Sequence, residues 1–163
     1  LIELFIAGII ILMMTETYNK YLAIDYGLKR VGLAGGAIFP NGLGVVDAGR
    51  GSDFVLAEIE KIAKEDDFTG IVIGLPTRSQ GEAGTLDEEI KIFAHKLSQM
   101  TGLSVYFQEE YFSSSEAQNL FISHNKKVQR KSGDLDEMAA IIILERFLDR
   151  LQNDSKIKPD ICL

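Results

Sequence analysis

The sequence predicts one α/β domain built on a mixed five-stranded sheet, an antiparallel meander continued by parallel strands, with helices on both faces. Two observations lead there. Three strand-like segments follow one another through very short turns between Lys20 and Gly49, and short connections between strands make antiparallel neighbours. Beyond Gly51, apolar β-branched runs alternate with helix-length amphipathic segments, the pattern of right-handed crossovers between parallel strands.

KYLAID (Lys20–Asp25) reads as the first strand, stopped by Gly27, and RVGLAGGAIF (Arg30–Phe39) as the second. Gly35-Gly36 within it predicts a bulge or a close backbone approach. LGVVDAG (Leu43–Gly49) follows the Pro40-Asn41-Gly42 turn. Ser52 or Asp53 is placed to cap a helix running to about Asp66, with Phe54, Ile59, Ile62 and Ala63 towards the core. GIVIGLP (Gly70–Pro76) has the composition of a buried parallel strand. The loop TRSQGEAG leads to a helix from about Thr85 to Met100, and LSVYFQEE (Leu103–Glu110) forms the fifth strand. Ser113 and Glu116 make a capping box for a helix to about Ser123, and a last helix is expected from about Gly133 to Leu151.

The ends of the chain stand apart from this pattern. LIELFIAGIIILMM is apolar, but a membrane span needs roughly 20 residues, and it lacks the basic start and small-residue cleavage site of a secretory signal. Residues 1–14 are therefore expected to be an upstream extension, with translation starting at Met13 or Met14. Residues 15–151 form the expected domain, and the tail 152–163 is expected to be flexible.

Composition limits the chemistry. One cysteine, Cys162, cannot staple a monomer, which fits a reducing compartment such as the cytoplasm. Two histidines, His95 and His124, with that one thiol cannot close a zinc site. Any metal must then be held by oxygen, which favours Mg²⁺ or Mn²⁺. A net charge of −7 excludes coating of duplex nucleic acid by bulk charge alone.

Three acids stand where a structural role does not fully account for them. Asp25 ends an apolar strand, although a turn aspartate bonding near Gly27 is the plainer account. Glu110 ends the fifth strand, and by alternation it shares a face with Tyr106 and Gln108, away from Glu109. Asp136 continues an apolar stripe of Ala140, Ile143, Leu144, Phe147 and Leu151 along the last helix. A first-turn acid favoured by the helix dipole, with Asp134 and Glu137 as a capping pair, explains its charge but not that position. If the first and fifth strands run parallel, their carboxyl ends share the sheet edge where α/β folds bind ligands. Carboxylates gathered there repel one another unless a cation sits among them, and divalent metal at such a site activates water and polarises phosphate.

The phrases LAIDYGLKRVGLA, IVIGLPTRSQGEAG, FQEEYFSSSEA and DLDEMAAIIIL, spread in that order from Tyr21 to about Asp149, resemble the YqgF-type family. Its members are Holliday junction resolvase-like proteins, also described as pre-16S rRNA nucleases, with an RNase H-like fold. The resemblance implies a metal-dependent endonuclease using Mg²⁺ or Mn²⁺, with Asp25, Glu110 and Asp136 as catalytic metal ligands. It implies 5′ processing of precursor 16S rRNA during ribosome biogenesis, or cleavage of branched DNA as a resolvase, by a monomer or a homodimer. A non-catalytic nucleic-acid or ribosome-associated module is the alternative of a different class. The chain departs from the family in having Glu109-Glu110-Tyr111 where the motif reads Asp-Glu-Arg, and Ser113-Ser114 in place of its hydroxyl pair. Losing that arginine removes a phosphate-binding fork rather than a metal ligand. Gly35-Gly36 also stands where the family often has an acid or serine.

Substrate contacts are expected from two basic segments. Lys126, Lys127, Arg130 and Lys131 precede Asp136 with no acid among them, and Lys29-Arg30 follow Asp25. Solvated loops carry such runs too, and edge lysines guard against aggregation. No Walker lysine accompanies Gly81 and Gly84, so the loop is not an ATP-binding one.

Overall fold

A computed structural model describes residues 18–76, 85–110, 132–154 and 156–162. Strands β1 (Tyr21–Tyr26), β2 (Arg30–Gly36) and β3 (Asn41–Asp47) form the expected meander. A 3₁₀ turn (Ala48–Arg50) leads to α1 (Ser52–Glu65), followed by β4 (Gly70–Pro76), α2 (Thr85–Thr101), β5 (Ser104–Glu110) and α3 (Ser132–Asn153). The sheet order is β3-β2-β1-β4-β5, with β1, β4 and β5 parallel. The residues foreseen for the apolar leader, the Gly81–Gly84 loop, the Ser113–Ser123 helix and the basic loop lie outside the described residues. No described helix is long and apolar enough to cross a membrane.

Strand alternation divides the core into two layers. Leu22 and Ile24 of β1, with Ile71 and Ile73 of β4, face α1 and α2, where Val55, Leu56, Ile59, Ile90, Phe93 and Leu97 are buried. Tyr21 and Ala23, with Val72, face α3, which buries Ala140, Ile143, Leu144 and Phe147. The predicted stripe on the last helix is therefore its core face. Phe147 anchors it, with its ring 5.0 Å from those of both Tyr21 and Tyr106.

Local details differ from expectation where the sequence has no nearby signal. Helix α1 begins after Gly51 (φ 99°) with no side-chain cap, so neither Ser52 nor Asp53 plays that part. Instead Asp47 caps the preceding 3₁₀ turn, accepting the Gly49 N–H at 2.9 Å. The register break lies opposite Leu33/Ala34, where β3 inserts Leu43 and Gly44 takes φ 93°. Gly35 is the close approach: a Cβ there would meet the Phe68 ring.

The tail, expected to be flexible, lies along the outer edge of β5. Val105 and Ile161 exchange backbone hydrogen bonds of 2.8 and 3.0 Å, and the Asp160 carboxylate accepts the Phe107 N–H at 2.7 Å. Pairing with the open edge satisfies strand groups that would otherwise need water.

Candidate functional site

Parallel pairing brings the carboxyl ends of β1, β4 and β5 to one edge of the sheet. Asp25 is the penultimate residue of β1 and lies on the α3 side, in alternation with Tyr21 and Ala23. In the β1–β2 ladder it stands opposite Gly32. The first turn of α3 crosses β2 at that level and brings Asp136 to the same place. Burial, and then the charge of Asp136, push the Asp25 carboxyl up to about 6. The two acids predicted from opposite ends of the chain thus lie close enough for the charge of one to act on the other.

Arg30 joins them from the start of β2. Its Nε donates to Asp136 Oδ2 at 2.5 Å, and both side chains keep some exposure to water, 42% and 25% respectively. Arg30 was foreseen as a substrate contact, and the structure gives it a carboxylate partner inside the site. Lys29 beside it is exposed. The other predicted cations, Lys126, Lys127, Arg130 and Lys131, lie outside the described residues.

Glu110 closes β5, paired in register with Pro76 at the same sheet edge, and its side chain lies outside the described residues. β1 and β5 flank β4, which separates their backbones by roughly 10 Å. Among the described residues no group of three or more metal-binding side chains is gathered. What the described residues provide is a pair of carboxylates, one of them raised by burial and by the charge of its neighbour, together with one guanidinium.

Two further residues of this region take contacts that the sequence did not assign to them. Gln108 is buried on the α3 side of β5, opposite Gly74, and its Oε1 has no hydrogen-bond partner among the described residues. A buried glutamine in an otherwise apolar alternation was the available signal. Glu137, expected as the capping partner of Asp134, accepts the Gly44 N–H on Oε1 at 2.8 Å, tying α3 to the β3 bulge. Nothing local in the sequence points to a partner 93 residues away.

An oxygen-rich site of this kind fits a hard divalent cation. The placing of the buried Asp25 carboxyl beside Asp136, across Gly32, is the structural sign of fit, because a cation between the two acids would offset both the burial of charge and their repulsion.

Comparison with known proteins places this site in context. Residues 19–150 match the family described as RuvX, Holliday junction resolvase. A Dictyoglomus turgidum protein described as a candidate pre-16S rRNA nuclease is 31% identical over 141 residues, covering 85% of this chain and 99% of that protein. A Nitratidesulfovibrio vulgaris protein of the same description is 33% identical over 135 residues, covering 80% of this chain and 93% of its own length. Among solved structures, Thermus thermophilus RuvC in complex with a Holliday junction substrate is similar at a TM-score of 0.57 and 14% identity. The match covers 82% of this chain and 96% of that one. The RNase H-like fold expected from the sequence is the one shared with RuvC.

Proposed function

This chain belongs to the RuvX family, and from that premise we propose that it is a metal-dependent endonuclease acting on precursor 16S rRNA during ribosome biogenesis. The observation that carries the reading is the apposition of Asp25 and Asp136 at one sheet edge, where burial and then the Asp136 charge lift the Asp25 carboxyl to about 6. Asp25 and Asp136 hold the cation, with Glu110 as the third ligand from the end of β5. Mg²⁺ or Mn²⁺ bound there supplies Lewis acidity towards the scissile phosphodiester and towards water.

The chain's own residues do the remaining work. Arg30 fixes one oxygen of Asp136 through Nε, so the carboxylate keeps one orientation while the outer end of the guanidinium is left for a phosphate. Lys29 extends this positive edge, and Lys126, Lys127, Arg130 and Lys131 are its counterparts ahead of α3. These cations position the strand against a chain whose net charge is −7. The cytoplasm is the compartment that this substrate implies.

Cleavage of four-way DNA is the second reading, favoured by the description of the matching family and by the RuvC-like fold. It requires two sites acting on two strands, hence a homodimer. The test is a cleavage assay with Mn²⁺ or Mg²⁺ on a short single-stranded RNA carrying the 16S precursor 5′ boundary and on a four-way DNA junction, with Asp25→Asn as control. Cleavage of the RNA that is lost in Asp25→Asn supports the proposal. Cleavage confined to the junction favours the resolvase, and no cleavage of either favours the binding module.

A further inference from the structure

Gly32 is a glycine without a conformational reason to be one. Among the described residues the glycines with positive φ are Gly44, Gly51 and Gly102, and Gly32 is an ordinary strand residue. What it lacks is space. A Cβ on Gly32 would fall on the carbonyl group of Asp136 and lie 3.0 Å from the Glu137 nitrogen. These are backbone atoms of a helix turn, and they cannot rotate away as a side chain can. The neighbouring positions on this face, Ala23 and Ala34, carry a methyl group and pack farther along α3.

We propose that Gly32 is a positioning residue for the metal site: its missing side chain lets the backbone of Asp136 rest on the sheet directly beside Asp25. The inference rests on the functional reading above. Its logic is one of reach. An aspartate carboxylate extends only one methylene from the main chain, so Asp136 meets the carboxylate of Asp25 only if its backbone comes close. Gly32 is the ladder partner of Asp25, which makes it the one β2 position whose bulk sets that approach. Gly42 offers a contrast on the next strand, because a Cβ there would meet the carboxylate end of the Glu137 side chain rather than helix backbone.

The idea predicts compensation. Gly32→Ala lifts the helix turn by about the thickness of a methyl group, and Asp136→Glu adds about one methylene of reach. Mn²⁺ binding to the full chain, read from the free-ion electron paramagnetic resonance signal, is measured for wild type, both single variants and the double variant. The expected result is at least about tenfold weaker binding for Gly32→Ala, a loss for Asp136→Glu, and a double variant that binds more tightly than the two losses multiplied. Binding by Gly32→Ala within about twofold of wild type, or simple multiplication of the two losses, overturns the inference. Should Gly32→Ala fail to fold, Mn²⁺ is added to the ¹⁵N-labelled wild type. Broadening of the Gly32 and Glu137 amides to the degree seen at Asp25 supports the proposal, and sharp Gly32 and Glu137 amides overturn it. A wild type that takes up no Mn²⁺ overturns the functional reading together with this inference, whereas wild-type binding unaffected by Gly32→Ala overturns this inference alone.

Discussion

Asp25 keeps its proton up to about pH 6 because burial and the nearby Asp136 charge both disfavour the carboxylate. Its folded-state pKa lies above the ordinary value near 3.8, so the folded protein binds this proton more tightly than the unfolded chain. The resulting stability is present in full below about pH 4 and is lost as pH rises through about 6. A shift of two units corresponds to roughly 3 kcal/mol at most. Asp25→Asn removes the charge, so without metal it is more stable than wild type at pH 8 and gains little at pH 4. Thermal unfolding against pH checks this, and parallel profiles for the two proteins contradict it. The same proton competes with metal, so Mn²⁺ affinity falls as pH drops below about 6. Arg30 acts in the opposite sense to Asp25. Its guanidinium places a positive charge 2.5 Å from an Asp136 oxygen, and Arg30→Met therefore tightens Mn²⁺ binding, on the order of fivefold for a partly exposed pair. The same variant weakens RNA binding, as fluorescence anisotropy with labelled RNA reads directly.

Helix α3 carries most of the architecture that the site depends on. Its buried stripe ends in Asp136 at one end and is anchored by Phe147 between Tyr21 and Tyr106 towards the other. Phe147→Ala costs about 3–5 kcal/mol by the usual cost of emptying an aromatic core site, measured by denaturant unfolding, and loosens the helix that presents Asp136. The strap on β5 contributes less. Asp160→Ala removes the acceptor of the Phe107 N–H and costs about 1–2 kcal/mol, with the Asp25–Asp136 pair undisturbed because the strap lies on the outer edge of β5, beyond β4. Elements of this kind differ in how far the sequence reveals them. β4 was readable residue for residue, since a buried parallel strand must be apolar throughout. The core face of α3 was readable from its 3.6-residue period, and the same period exposed Asp136 as an acid above a buried stripe. The start of α1, the bulge at Leu43 and the docking of the tail were not readable. Each is decided by a partner that is distant in sequence or by the backbone freedom of a glycine.

For the whole molecule, the five-stranded sheet explains why acids far apart in sequence meet at one place. Parallel strands β1, β4 and β5 deliver their carboxyl ends to one edge, and the last helix returns over β2 to the same edge. Asp25 and Asp136 were each ambiguous by position, as a turn aspartate and a first-turn helix acid. Their shared destination is what favours the proposed functional role over those two, and that destination follows from topology. The ion pair from Arg30 to Asp136 spans 106 residues and left no trace in local pattern. Net charge works at this scale too. A chain at −7 repels a nucleic-acid strand everywhere except beside its cations and beside any divalent ion bound to its acids. Binding of single-stranded RNA is accordingly expected to be weak without divalent ions and clearly stronger with Ca²⁺, which bridges without needing to support cleavage. Anisotropy in chelator and in Ca²⁺ checks this, and equal affinity in both contradicts it.

The most direct test of a metal site shared by the two acids is isothermal titration of Mn²⁺ into wild type, Asp25→Asn and Asp136→Asn at neutral pH. A binding heat in wild type that is lost or weakened at least about tenfold in each variant is the predicted result. Wild-type binding that survives either substitution unchanged, or no binding heat in any of the three proteins, would contradict it.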